Sequence, residues 1–485
     1  MNYSIIKRTV GWILLFETIF FLVPLITAIV YWESAFFSFL ITMIICGLLG
    51  WACIAKKPKD TSIYAKEGFV IVSLSWIVLS VFGALPFFFS GEIPNFIDAL
   101  FETVSGFTTT GATIIPTGEK LESLPRSLLM WRGFTHWIGG MGVLVFIIAF
   151  LPLSGARNMH IMKAESPGPV VSKLVPKVRS TAFILYTIYA LMTLIQFILL
   201  LVGGMSAFEA LTTAFATAGT GGFSVKGDSI AGYSSYIQIV VTIFMLLFSL
   251  NFNSYYMLGR GRWKEAFTEE VRTFFLIVFV AIGLITLNVY FSESISYDYS
   301  FLEALKHTAF SVASIISTTG FATENFDLWP QLSKTILVTL MFIGACAGST
   351  GGGIKVSRIV IMTKSGGNEL RKMLHPKQIK KVTMDKRVVD EEVVKSVNSY
   401  LMIYVLVFLV SLLLISLDGA SLATNFTAVA ATMNNIGPGL ELVGPAGNFA
   451  FYSWWAKLVF IFDMLAGRLE LIPMLLLFAP ATWRK

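Results

Sequence analysis

Apolar runs of two lengths alternate along this chain. The long ones, 10–32, 35–55, 69–89, 128–151, 182–202, 236–257, 273–291, 335–362, 397–417 and 452–478, each suit a membrane span, because a helix needs about 20 apolar residues to cross the hydrocarbon core. The short ones are Phe96–Phe107, Ala207–Ala218, Phe301–Ile316 and Leu422–Met433. Flanked by spans and too brief to cross, they read as re-entrant half-helices. After the first two spans, the order span, half-helix, polar stretch, span is met four times. The pattern predicts an all-α polytopic membrane protein. An extra helix pair (1–68) precedes four pseudo-symmetric units (69–179, 180–271, 272–395 and 396–485) gathered round one pore.

The polar stretch after each half-helix is the recurring element. It reads Thr108-Thr109-Thr110-Gly111-Ala112-Thr113, then Gly219-Thr220-Gly221-Gly222-Phe223-Ser224, Ser317-Thr318-Thr319-Gly320-Phe321-Ala322 and Asn434-Asn435-Ile436-Gly437-Pro438-Gly439. Backbone that is neither helix nor strand is tolerated at membrane depth only where protein buries it or water and ions reach it. Glycine admits dihedrals that aim successive carbonyls one way, and a ring of carbonyl oxygens can replace the hydration shell of a monovalent cation. Each half-helix runs into its stretch, so its partially negative C-terminal end faces the centre and favours a cation. The expected cation site is Thr109, Thr110 and Gly111, with Thr220, Gly221 and Gly222, Thr318, Thr319 and Gly320, and Asn435, Ile436 and Gly437. One such stretch alone is an ordinary turn; four, each behind a half-helix, form a filter.

Composition agrees with the setting: 55% hydrophobic, 13% charged, mean hydropathy +0.75. Cys46, Cys53 and Cys346 lie in apolar runs without disulfide or metal spacing, and His136, His160, His307 and His375 form no cluster. The formal charge of +7 gains meaning from its placement. Only Lys120, Arg126, Lys226, Lys306 and Lys334 fall in loops opposite the N-terminus, while most Lys and Arg share its side. That bias predicts both termini, and the basic segment 364–395, in the cytoplasm. Lys7 and Arg8 precede a first span with no small-residue cleavage site, which reads as an uncleaved helix. The outer loops are acid-rich, with Asp98, Glu102, Asp418 and Glu441 among them. Such carboxylates either raise the local cation concentration or simply solvate loops. Trp131, Trp137, Trp454 and Trp455 suit interfacial belts, Arg132 and Lys457 suit snorkelling near span ends, and Glu17 has no evident role.

Two features suggest a gate. Gly348, Ser349, Thr350, Gly351, Gly352 and Gly353 belong to a glycine-rich run, 344–353, that makes a continuous helix over 335–362 improbable. A phosphate-binding loop is excluded because Ile354 stands where its lysine is required; close helix packing through small residues is the alternative. Arg468 lies mid-span, where a charge is costly and usually functional. The alternative for Arg468 is a structural ion pair, with Glu470 or a neighbouring span.

With Ser105-Gly106-Phe107 before the first stretch, Gly348 to Lys355, and Gly467-Arg468-Leu469-Glu470, the four stretches resemble the Trk/Ktr/HKT superfamily of potassium-uptake proteins, closest to the membrane subunit of its bacterial Trk branch. The similarity covers essentially the whole chain, extra helix pair included. It implies K+ as the transported ion and one filter glycine per unit. It also implies an intramembrane loop at 344–353 obstructing the pathway beneath the filter. Homodimers and a cytosolic ring of TrkA-type nucleotide-binding subunits, docking on the basic loops of the bacterial inner membrane protein, are implied as well. Those loops could equally hold anionic lipid. No organic cofactor and no nucleic acid are expected.

A proton- or sodium-coupled cation symporter is the rival reading. That design uses inverted halves and helices broken in corresponding positions, whereas these units are parallel and the sequence breaks only one span clearly. A membrane enzyme would want clustered His, Asp or Cys in a span, and none is present.

Overall fold

The computed structural model describes residues 1–56, 64–116, 118–142, 178–292, 299–377 and 380–483. The chain is a polytopic all-helical membrane protein; its only strands among these residues are the two-residue pairs Thr383–Met384 and Arg387–Val388. Among the described residues, six helices or near-continuous helix pairs are long and apolar enough to cross a bilayer: Tyr3–Val30, Phe36–Ile54, Lys66–Phe89, Ser180–Val202, Glu269–Tyr290 and Glu391–Asp418. They are the extra pair and the first span of each unit.

The four second spans behave differently, and here the sequence expectation of one broken span is corrected. Arg126–Gly140 ends in two glycines, and the rest of the expected span 128–151 lies outside the described residues beyond Gly142. Ser235–Phe248 and Phe252–Gly259 meet at a 93° bend. Gln331–Ile343 stops at Gly344, and the helix resumes only at Val356. Trp454–Arg468 and Ile472–Phe478 are separated by Glu470 and Leu471, both with positive φ. Units two, three and four therefore each interrupt their second span, and of these only the third does so with a glycine run.

The half-helices begin and end as the residues dictate. Asn95, Ser206, Ser300 and Ser421 cap their N-termini by accepting from the N–H of Ile97, Glu209, Glu303 and Thr424, the residue types best suited to that position. Ser206 and Ser300 complete capping boxes with Glu209 and Glu303.

Tyr3 Oη meets the Trp483 carbonyl at 3.3 Å and Lys66 Nζ meets the Ala481 carbonyl at 3.0 Å, so both termini and the start of the 66–89 helix share one side. The opposite side is tied by Glu33 to the start of the 126–140 helix, with the Ser127 N–H donating at 3.0 Å, and by Asp418 to Ser453.

Three expectations about charged and aromatic side chains are corrected. Arg132 is 3% exposed and paired with Glu102 at 2.8 Å, and Lys457 is buried against Asp98 at 2.7 Å, so neither snorkels. Trp131 is wholly buried, its Nε1 donating to the Gly83 carbonyl at 2.9 Å, rather than interfacial. Glu102 is likewise internal rather than a loop carboxylate. Glu17 is fully buried beside Gly83, with no hydrogen-bond partner among the described residues.

Candidate functional site

Each half-helix closes with the same cap. The N–H of Thr110 reaches back to the Ser105 carbonyl at 2.9 Å, Gly221 to Ala216 at 2.8 Å, Thr319 to Ser314 at 2.9 Å and Ile436 to Ala431 at 2.9 Å. This six-to-one bond defines a Schellman motif and needs a left-handed residue, usually glycine. Here that residue is Thr109, Thr220, Thr318 or Asn435, with φ of 57, 54, 60 and 55°. A β-branched residue in this region is an outlier and costs about 1–2 kcal/mol. Two residues on, Gly111, Gly222, Gly320 and Gly437 are also left-handed, at 77, 78, 82 and 98°, while the residue between is not. The alternation turns successive peptide planes in step, so equivalent carbonyls are presented alike in all four units.

The four bends meet. A methyl group placed on Gly111 would overlap the Gly221 carbonyl oxygen, one on Gly222 the Thr319 oxygen, and one on Gly320 the Ile436 oxygen. On Gly437 it would stand 2.8 Å from the Thr110 oxygen. The contacts run from unit one to two, two to three, three to four, and four back to one, which closes a ring. A further bond seals the last junction, from Asn435 Nδ2 to Thr110 Oγ1 at 2.9 Å. A cavity of about 80 Å³ opens on all four glycines, with Ala112, Phe223, Ala322 and Pro438 around it.

Behind the ring stand residues that sequence reasoning missed. The His136 ring bridges two units: Nδ1 donates to the Gly106 carbonyl at 2.7 Å and Nε2 accepts from the Phe223 N–H at 3.2 Å. Both bonds together need the neutral tautomer with its proton on Nδ1. Arg132, held by Glu102, donates to the Ser224 carbonyl at 3.2 Å and lies over the Phe223 ring, while Glu102 accepts from the Ile114 N–H at 3.1 Å. The buried pair thus fixes the outgoing chain of units one and two. Nothing in the sequence links these residues across so many positions.

On the side of the termini, the loop 344–355 lies directly against the ring. Gly352 N–H donates to Thr318 Oγ1 at 2.6 Å, and a methyl on Gly351 would stand 2.9 Å from the Ser317 carbonyl. The loop is pinned to the bend of unit two through Cys346 N–H to the Ser249 carbonyl (3.0 Å) and Phe252 N–H to the Gly348 carbonyl (3.1 Å). Glu270 receives the N–H groups of Ala347 and Ser357 at 2.7 and 3.1 Å. Arg468 reaches the same place. Its Nη1 donates to the Thr350 carbonyl at 2.8 Å, and Nη2 donates to the carbonyls of Gly139 and Gly140, each at 2.6 Å. Three units therefore converge on one guanidinium. Glu470, the alternative partner expected for Arg468, pairs with Arg358. Lys355, named in the sequence only at the end of the run from Gly348, is buried with φ 81° and donates to the Gly351 carbonyl. Thr109 Oγ1 and Asn435 Oδ1 are buried and have no hydrogen-bond partner among the described residues.

The expected residues of all four stretches, the glycine run and Arg468 thus form one contiguous assembly. Among the described residues no group of His, Cys, Asp and Glu is arranged to hold a metal ion.

A family model described as "TrkH: Cation transport protein" matches residues 33–485. The chain is 36% identical to the Trk system potassium uptake protein TrkH of Escherichia coli K12 over 498 residues, covering all of both chains. It is 32% identical to TrkG of the same organism, again over the whole of both. Among solved structures it superposes on the potassium transporter TrkH from Vibrio parahaemolyticus with a TM-score of 0.88 and 33% identity, covering both chains completely.

Proposed function

This chain belongs to the TrkH family of cation transport proteins, and from that premise we propose that it carries out potassium uptake across a bacterial inner membrane through the ring of Gly111, Gly222, Gly320 and Gly437. The observation carrying this reading is the head-to-tail closure of four glycine bends around one cavity. An ion entering from the side opposite the termini sheds water and takes carbonyl oxygens of residues 109–111, 220–222, 318–320 and 435–437 in its place. Four half-helix C-terminal ends together present about two negative charges, which favours a cation over any anion. The left-handed threonines support the same reading: strain of this kind persists where function needs it, and the Thr318 hydroxyl accepts from the loop at Gly352.

The loop 348–353 with Arg468 is the gate. It lies against the ring, and its anchors come from three different units, so withdrawing it requires breaking a small set of hydrogen bonds rather than repacking a core. Both termini face the cytoplasm, where TrkA-type nucleotide-binding subunits control the loop from the basic segments, and the protein works as a homodimer. Of the basic stretch 157–179, residues 157–177 lie outside the described residues. The units are 1–68, 69–179, 180–271, 272–395 and 396–485, and K+ is substrate rather than resident cofactor.

Coupled symport gains from one observation: the second spans of units two, three and four are all interrupted, one of two features such transporters share. The other, inverted halves, is missing, because all four half-helices enter the ring in the same sense. The test is ion flux in proteoliposomes with potassium, rubidium and sodium in turn, with and without an imposed proton gradient. Flux of potassium and rubidium above sodium, unaltered by the proton gradient, is the outcome expected of a pore. Uptake that follows the proton gradient would establish the symporter, and sodium flux equal to potassium would overturn selective uptake.

A further inference from the structure

Away from the ring, on the side of the termini, the last turns of the Val356–Leu374 helix and the segment 380–383 enclose a cavity of about 370 Å³. Thr363, Lys364, Gly367, Asn368 and Arg371 line it from the helix; their spacing puts them on one face. Lys380 and Lys381 close it from the other wall. The walls are held apart by definite bonds: Asn368 Nδ2 donates to the Lys380 carbonyl at 3.1 Å, and Lys364 Nζ donates to the Thr383 carbonyl at 2.8 Å. It is therefore a built cavity rather than a row of solvated lysines.

The balance of charge in this cavity points one way. No carboxylate lines it among the described residues. Glu269 reaches it only through Lys364, with which it pairs, so Arg371, Lys380 and Lys381 are left as positive charge. The C-terminal end of the helix contributes about half a negative charge, which does not offset three cations. Gly366 and Gly367 are informative as well. Each weakens an exposed helix by about 1 kcal/mol relative to alanine, and a methyl on either would meet nothing within 4 Å. Close packing therefore does not explain them, and the absent side chain at 367 leaves the floor of the cavity open.

We infer that this cavity binds a phosphate group, held by the Arg371 guanidinium and the Lys380 and Lys381 ammonium groups. An arginine fork with flanking lysines matches the geometry and charge of phosphate oxygens. Neither the ring nor the ion it passes enters the argument. The group comes either from an anionic lipid headgroup or from free phosphate, and one experiment separates the two.

The full chain in detergent micelles is titrated with inorganic phosphate, with dioctanoyl phosphatidic acid and, as control, with dioctanoyl phosphatidylcholine, following the thermal transition, which rises with ligand that binds only the folded state. The double variant Arg371→Gln/Lys381→Gln is titrated alongside; both positions are exposed and substitutions there are tolerated by the fold. Saturable stabilisation by phosphatidic acid or phosphate, with Kd at least about tenfold weaker in the variant (about 1.4 kcal/mol), is expected. Response to phosphatidic acid alone identifies a lipid headgroup, and equal response to phosphate identifies the free ion. Affinities within about twofold of each other in wild type and variant, or no saturable response to either probe below about 10 mM, would overturn the assignment.

Discussion

Arg468 donates from Nη1 to the Thr350 carbonyl oxygen at 2.8 Å, so the mid-span arginine of the fourth unit is bonded directly to the glycine-rich loop of the third. With Nη2 on the Gly139 and Gly140 carbonyls, one side chain holds the loop to two other units. Lysine, a point charge without a fork, does not reproduce this.

Replacing Arg468 by alanine should free the loop and raise basal rubidium flux in liposomes several-fold. Arg468→Lys should fall between, because one ammonium cannot span the three carbonyls in the same way. Flux unchanged in both variants removes Arg468 from the gate.

The ring glycines should not respond equally. Both Gly320 and Gly437 are left-handed, but a side chain at 320 overlaps the Ile436 carbonyl oxygen, whereas at 437 the nearest carbonyl oxygen stands 2.8 Å away. Gly320→Ser is expected to narrow the potassium-to-sodium permeability ratio more than Gly437→Ser does. The comparison is made from reversal potentials or paired flux assays; a larger loss at 437, or no loss at 320, contradicts the ring geometry.

His136 should be sensitive to loss of hydrogen bonding rather than of size. His136→Phe leaves the Phe223 N–H unpaired, at a cost of about 1–3 kcal/mol, and takes one of two donors from the Gly106 carbonyl, which keeps the Thr109 N–H at 3.1 Å. A markedly lowered thermal midpoint is expected, together with weakened cation discrimination.

Arg132 distinguishes a buried brace from a snorkelling side chain. Arg132→Ala strands Glu102 in the interior and should destabilise by about 3–5 kcal/mol; an arginine lying at the interface would change stability by about 0.5 kcal/mol or less. Thermal unfolding of the purified chain in detergent reads the difference.

These predictions also separate what was legible in the sequence from what was not. The half-helices were legible to the residue, because each runs between an Asn or Ser cap and a polar stretch that cannot continue the helix. The glycine run at 344–353 announced its own break. The interruptions at Ser249–Leu250–Asn251 and at Leu469–Glu470–Leu471 did not. Neither contains glycine or proline, and both are imposed by what docks there: the loop of unit three on the first, and the Arg358 pair with Glu470 at the second. The left-handed threonines are invisible to propensity for the same reason. His136, Lys355 and the Arg132–Glu102 pair act across long sequence separations, and only the closed ring brings their partners together. Arg132 and Lys457 were misread because position within a span says nothing about which face is turned to lipid.

Glu441 gives a prediction in pH. Hydrogen bonds from Ser421 and then Thr424 hold its carboxyl below the ordinary value of 4.5. A depressed folded value means stability that is present above the unfolded value and lost as pH falls through the folded one. Thermal midpoints should therefore drop on acidification below about pH 4.5 in the wild type more steeply than in Glu441→Gln. Parallel acid limbs would show that the Ser421 and Thr424 bonds do not hold in solution.

The most direct test of the ring is anomalous scattering from crystals of the full chain grown in rubidium. The expected result is a rubidium peak on the axis enclosed by Gly111, Gly222, Gly320 and Gly437, within reach of carbonyl oxygens from all four units. Rubidium density elsewhere with none on that axis would contradict the account.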